Sequence, residues 1–175
     1  MTALPHFDAA AISAVVDMDS AIKALKEAFK DLGKLHPRTQ VSLGATDDLL
    51  LMPAVTSMGI GIKTVTVISD NPGKGLPLIH AHYLLCDRDT GRPQATFDGS
   101  ALTALRTPAA SGVATEMLAP PEVASLGIFG TGVQAQGHID AMLSARSSIE
   151  TIFVSGRTLE STTNFVETAN SQGRK

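Results

Sequence analysis

The stretch from Ala124 to Ala169 constrains the fold more than any other part of the chain. Ala124 to Phe129 is a short apolar strand that runs straight into Gly130-Thr131-Gly132-Val133-Gln134-Ala135. Ile139, Met142 and Leu143 continue on one helical face. Glu150 to Ser155, carrying Ile152, Phe153 and Val154, reads as a second strand, and Thr158 to Ala169 as a second helix. The order β–α–β–α is the opening of a parallel, doubly wound sheet. Two such strands alone leave an open parallel edge and an uncovered apolar face, so the chain reads as a fragment of something longer.

In a dinucleotide-binding fold Gly130 would permit the tight turn out of the strand. Gly132 would let the backbone approach a pyrophosphate, and Ala135 would let helix and strand pack closely. The free N–H groups and partial positive charge of the helix N-terminus would face the phosphates. A lone G-x-G-x-x-A also fits a generic turn in an unrelated doubly wound domain. Its place here, between a strand and a helix and with a second strand ending roughly 25 residues on, favours the nucleotide site. That second strand ends in Ser155-Gly156-Arg157-Thr158. An acid at this point would hold a ribose 2′-hydroxyl. None is present, whereas a guanidinium pairs with a 2′-phosphate and Ser155 and Thr158 offer hydroxyls. The sequence therefore favours NADP(H), with NAD as the alternative. The plain reading of Arg157 is a solvated residue at a helix start.

Ahead of the Pro120-Pro121 linker the pattern differs. Residues 17 to 33 read as an amphipathic helix. Ile22, Leu25, Phe29 and Leu32 share a face, Lys23, Lys26, Glu27 and Lys30 fill the other, Asp17 or Asp19 caps the start and Gly33 stops it. Residues 38 to 98 read as an antiparallel sheet with short connections. Val41 and Leu43 alternate with polar neighbours, and Leu49 to Met52 is an apolar run ending at Pro53. Gly61 to Ile68 alternates strictly from Ile62, and His80 to Cys86 and Gln94 to Phe97 follow, separated by loops at Asn71-Pro72-Gly73 and Asp87 to Pro93. Ser100 to Leu118 is helical with Pro108 inside. Thr107 as N-cap with Pro108 at the first helical position predicts one helix ending near Arg106 and another starting at Thr107.

With 175 residues, 43% hydrophobic and 18% charged, the chain can bury a core and is not compositionally disordered. A formal charge of −3, 4% aromatics and no tryptophan speak against a nucleic-acid partner. The single cysteine, Cys86, excludes an internal disulfide framework and a multi-cysteine metal site. No apolar run approaches the ~18 to 20 residues of a membrane span. Met1 to Ala14 carries Asp8 and neither lysine nor arginine, unlike a secretory signal. The expectation is a soluble, cytoplasmic protein with no membrane partner.

Three cations stand out. Lys63 sits mid-strand, sharing a face with Val65 and Val67 opposite Ile62, Thr64 and Thr66; such a lysine either snorkels at an edge or points into a functional cleft. Arg38 follows Pro37 at a strand start, where most arginines merely face solvent. Arg106 lies among small and apolar residues, where a cation is costly to bury without an anion. At the predicted helix start, Arg106 and Thr107 would form a second phosphate or carboxylate site. His80 and His82 share a strand face, but no third metal ligand accompanies them. Cys86 reads as a buried strand residue.

Together these segments resemble the ornithine cyclodeaminase/mu-crystallin family over nearly the whole chain. The blocks that carry the resemblance are Pro37-Arg38, Met52-Pro53-Ala54, Gly61-Ile62-Lys63-Thr64-Val65-Thr66, Asn71-Pro72-Gly73-Lys74-Gly75-Leu76-Pro77, Asp89-Thr90-Gly91-Arg92-Pro93, Asp98-Gly99, Leu102-Thr103-Ala104-Leu105-Arg106-Thr107 and Gly130 to Ala135. The resemblance implies an α/β chain. Residues 1–120 would be the N-terminal part of an α+β substrate-binding and dimerisation domain, and 121–175 the first βαβα part of a Rossmann domain. It implies a homodimer. Arg38 and Lys63 would hold the substrate carboxylate, with Lys63 the catalytic candidate, and Arg106 would line the cofactor and substrate pocket. Thr107 and Gly130, Thr131, Gly132, Val133 and Gln134 would contact the pyrophosphate. Ser155-Gly156-Arg157-Thr158 is similar to the segment with which NADPH-preferring members hold the 2′-phosphate. The family's acid/base aspartate would lie beyond Lys175. The strand after Lys63 lacks the asparagine-glycine-histidine-proline run of cyclodeaminases proper, which points to the reductase and dehydrogenase branch. The expected function is NADP(H)-dependent reduction of a small imino acid, such as a cyclic ketimine, to the amino acid. The alternatives are an NAD-dependent ornithine cyclodeaminase and a non-enzymatic, crystallin-like binding protein.

Overall fold

The computed structural model describes residues 3–31 and 36–171, so the predicted helix end at Leu32 and Gly33 lies outside the described residues. Two compact units are present, one of residues 1–15 and 28–103, the other of residues 16–27 and 104–175.

The first unit is a six-stranded sheet. The strands are β1 (His6–Phe7), β2 (Thr39–Ser42), β3 (Asp48–Thr56), β4 (Gly59–Val67), β5 (Ile79–Cys86) and β6 (Pro93–Asp98), in the spatial order β1-β6-β5-β4-β3-β2. From β2 to β6 the pairing is antiparallel, as the alternation implies, whereas β1 pairs with β6 in parallel. A short helix, α1 (Ala9–Val15), follows β1, with the Asp8 carboxylate accepting from the Ala11 N–H at 2.8 Å. The apolar run at Leu49 does not end at Pro53, because β3 continues to Thr56. β2 pairs only with Asp48 to Leu51, so beyond that β3 has one open side, where a residue without an N–H is tolerated. The Asn71-Pro72-Gly73 segment forms a single 3-10 turn, closed by Gly75 at φ 71°. Val65, Ala81 and Ala95 are buried on the sheet.

The predicted helix break at Thr107 is not observed. α3 (Gly99–Leu118) is one helix with Pro108 in its interior. The Asp98 carboxylate caps it, accepting from the N–H groups of Ser100 and Ala101 at 2.8 and 3.0 Å. Packing overrides the local rule: Pro108 is almost completely buried, and the backbone of Gly137 takes up the space beside it, where a Cβ would come 2.7 Å from the proline Cγ. Arg106 and Thr107 are therefore mid-helix residues, and the helix-start anion site they were expected to form is absent.

In the second unit, α3 is joined by α2 (Met18–Lys30) and α4 (Val133–Ala145) around a core of Ala21, Ile22, Ala109, Val113, Ala141 and Met142. Asp17 caps α2 as predicted, accepting from the Ser20 N–H at 2.8 Å; hydrogen bonding by Ser20 holds its carboxyl below the ordinary range. Lys26 pairs with Glu116, and Ser144 donates to Asp19. Arg146 closes the C-terminal end of α3. Its Nη2 donates to the carbonyls of Thr115 and Ala119 at 2.8 and 2.7 Å, and its Nε to Pro120 at 2.8 Å. Strands β7 (Ser125–Phe129) and β8 (Thr151–Ser155) pair in parallel, and α5 (Leu159–Ser171) follows β8. Leu126, Ile128, Ile152 and Val154 are half-buried on one face of this small sheet, while Phe129 and Phe153 on the other are 90% and 64% exposed. Among the described residues no helix is long and apolar enough to cross a membrane.

Candidate functional site

The chemistry in the first unit gathers along one pleat row. Met52 pairs with Lys63, Lys63 with Tyr83, Tyr83 with Phe97, and Phe97 with Phe7. Directly paired residues lie on the same face of a sheet. Arg38 directly precedes β2, whose ladder with β3 ends at the Thr39–Leu51 pair, so it lies just outside the paired row that ends at Met52. Arg38 is exposed and Lys63 half-buried. The Lys63 ammonium donates to the hydroxyl of Thr103 in the first turns of α3, and that hydroxyl donates to the Gly99 carbonyl at 2.6 Å. Tyr83 is half-buried, and burial pushes its phenol above the ordinary value. Sequence reasoning missed Met52, Tyr83 and Thr103, because alternation gives a face and not a partner. One signal was available: Gly61 interrupts a β-branched strand, the mark of a close approach by another group. A Cβ there would come 1.9 Å from the Tyr83 hydroxyl.

The second unit holds the turns that follow β7 and β8. Gly130 adopts φ 103°, a conformation that only glycine enters readily, and its N–H donates to the Ser155 carbonyl at 2.7 Å. Gly132 is the N-cap of α4 and supplies no side chain to the helix N-terminus. The first-turn N–H groups at Val133 and Gln134 thus face the space in front of the turn without a side-chain cap. Ala135 is buried, as close helix–strand packing requires. The turn after β8 packs on the glycine turn: a Cβ on Gly156 would come 3.0 Å from Thr131 Cγ2 and 2.6 Å from Thr162 Oγ1. The Gly156 N–H donates to Thr162 Oγ1 at 3.0 Å. Arg157 is exposed, and the Thr158 hydroxyl caps α5 by accepting from the Ser161 N–H at 3.2 Å. A groove of about 400 Å³ runs from Thr131, Gly132 and Val133 to Ser161, Asn164 and Phe165. Arg106 is exposed on α3. Thr107 Oγ1 and Gln134 Oε1 are buried and find no hydrogen-bond partner among the described residues.

These features fit a dinucleotide. A turn that needs a left-handed glycine and a helix start with uncapped N–H groups together suit a polyphosphate ligand. Among the described residues no group of three or more His, Cys, Asp or Glu side chains is arranged to hold a metal ion.

Residues 7–175 match the ornithine cyclodeaminase/mu-crystallin family. The chain is 37% identical to an alanine dehydrogenase of Archaeoglobus fulgidus over 134 residues, 75% of this chain and 42% of that enzyme. It superposes on the Δ(1)-pyrroline-2-carboxylate reductase of Thermococcus litoralis, solved with NADH and L-proline, with a TM-score of 0.90 and 31% identity over 98% of this chain and 55% of that one. An archaeal alanine dehydrogenase dimer with NAD bound gives a TM-score of 0.89 and 27% identity, covering 98% of this chain and 54% of that one. The chain thus spans about half the length of these relatives.

Proposed function

The chain belongs to the ornithine cyclodeaminase/mu-crystallin family, and from that premise we propose that this protein is a nicotinamide-dependent oxidoreductase that reduces the C=N bond of a small imino acid. NADP(H) is the preferred cofactor and the protein acts as a homodimer, in line with the dimeric alanine dehydrogenase it resembles. Residues 1–120 serve substrate binding and dimerisation, and residues 121–175 open the dinucleotide-binding domain.

What supports this reading is the half-buried Lys63, set in a pleat row between Met52 and Tyr83, with the exposed Arg38 just ahead of β2. A carboxylate between a guanidinium and an ammonium is fixed by two charge-assisted contacts. Thr103 accepts one of the ammonium donors and so fixes where the charge of Lys63 sits. A fixed carboxylate orients the adjacent C=N carbon, the positional part of catalysis. The N–H groups at the start of α4 hold the pyrophosphate, with the Thr107 hydroxyl as a further contact. Arg157 pairs with the 2′-phosphate, flanked by Ser155 and Thr158. Arg106 is a cofactor and substrate contact. When bound, the reduced nicotinamide supplies the hydride that, with a proton, turns the C=N bond into an amine.

The test is NADPH oxidation by the full-length protein with Δ1-pyrroline-2-carboxylate and with open-chain imino acids. The expected result is turnover with at least one of them. No turnover with any rejects the reading. Ammonia released from ornithine without net cofactor oxidation would make the protein a cyclodeaminase instead.

A further inference from the structure

Tyr83 is the only tyrosine of the chain, and it stands directly across the β4–β5 ladder from Lys63. The two side chains leave the same face with Cβ atoms about 5 Å apart. The phenol ring lies over β4 at Gly61, where a Cβ would come 1.9 Å from Oη, 2.6 Å from Cζ and 3.2 Å from Cε2. On the β6 side Phe97 meets the ring edge-on at 6.0 Å and 72°, and Phe97 is itself stacked on Phe7 at 5.1 Å and 20°. A half-buried ring between a glycine backbone and an aromatic pair has little room to swing. On the other flank of Lys63 stands Met52, unbranched and adaptable. The lysine thus has a rigid wall towards β5 and a pliable one towards β3.

We infer that Tyr83 is the residue that limits the length of the substrate side chain. With a carboxylate held at Lys63, the fixed ring admits a compact imino acid and obstructs one extended by several methylenes. This rests on Lys63 being the carboxylate anchor, as proposed above.

The experiment compares kcat/KM for the imines that form from pyruvate and from 2-oxohexanoate in ammonia, with NADPH, in the full-length wild type and in Tyr83→Phe, Tyr83→Leu and Tyr83→Ala. The long-to-short ratio should rise about tenfold or more in the Ala and Leu variants, and stay within about twofold of wild type in Tyr83→Phe, which keeps the ring. Circular dichroism checks that each variant folds, and Leu covers the case in which Ala does not. Lys63→Ala separates the two ways of failing. If Lys63→Ala raises KM while the Ala and Leu variants at 83 keep the wild-type ratio, the inference about Tyr83 is overturned alone. If KM is unmoved in Lys63→Ala, or the wild type reduces no imine, the anchor reading falls and takes this inference with it.

Discussion

Replacing a glycine inside a helix by alanine ordinarily stabilises a protein by about 1 kcal/mol, through lower backbone entropy in the unfolded chain. Gly137 in α4 should do the opposite. A Cβ there would come 2.7 Å from Pro108 Cγ, 3.4 Å from Pro108 Cβ and 3.3 Å from the Ala104 carbonyl oxygen. Pro108 is less than 2% exposed and its ring is stiff, so nothing nearby yields cheaply. The Ala104 carbonyl is the one that Pro108, lacking an N–H, leaves without its helical donor. Overpacking a filled core costs about 1–3 kcal/mol, and a contact this short against a buried proline belongs at the upper end. Subtracting the helix-propensity gain of about 1 kcal/mol leaves a net loss of about 2 kcal/mol for Gly137→Ala. At about 2–4 °C per kcal/mol for a chain of this size, the melting temperature should fall by about 4–8 °C, read by far-UV circular dichroism and checked by urea titration. Pro108→Ala removes the ring and restores an N–H for Ala104, so in that background Gly137→Ala should cost much less, a coupling that a double-mutant cycle measures. A melting temperature equal to or above wild type in Gly137→Ala would refute the account of why a proline survives inside α3.

Other outcomes follow from the same geometry. Lys63→Ala should raise KM for the imino acid about thirtyfold or more, the lower end of the ~2–5 kcal/mol lost when a close ion-pair partner is truncated, with cofactor affinity unchanged; a KM within threefold of wild type rejects the anchor. Arg157→Ala should weaken NADPH binding and leave NADH nearly untouched by fluorescence titration, and equal losses for both remove the case for a 2′-phosphate contact. Gly130→Ala forces an L-residue to φ 103°, at a cost of about 1–3 kcal/mol, and should lower both melting temperature and dinucleotide affinity; unchanged binding would show that the turn does not face the ligand. The Tyr83 phenol, raised by burial above its ordinary 10.0, should titrate in native protein at higher pH than in urea, followed by tyrosinate absorbance. The sign is fixed: the fold favours the protonated phenol, so its contribution is complete below the unfolded value and is lost as pH rises through the folded one. Identical midpoints would mean that the ring is not packed against Gly61.

The βαβα segment is legible because each element carries its own signal. The strands are short apolar runs, the helices keep a 3.6-residue period, and the glycines stand where the backbone must turn sharply. The Asp17 cap and the β4 and β5 strands are legible for the same local reason. Where reading fails, the deciding partner lies far along the chain. The proline rule that places a helix start at Thr107 is sound for an isolated segment, but it knows nothing of Gly137, whose missing side chain makes room for Pro108 in α3. The two-residue strand β1 and the helix behind it are too short to show a period at all.

The candidate site shows the same limit in sharper form. Alternation places Lys63 on a face with Val65, but which residues flank it depends on register, and register is set elsewhere. β3 and β4 are joined through Ser57 and Met58 alone, between the paired Thr56 and Gly59. A two-residue connection leaves the ladder little freedom to slip, so Met52 is held opposite Lys63 by the shortness of that turn. Inserting one residue at Ser57-Met58 would offset the ladder by one unless a bulge absorbed it. The row containing Met52 would then meet residues from the opposite face of β4, with Ile62 or Thr64 where Lys63 had been. Such a variant would retain the charges, the strands and the hydrophobic pattern, yet, with Lys63 the carboxylate anchor as proposed above, it should bind the imino acid more weakly, read as a raised KM, because Lys63 would no longer stand in the row of Met52.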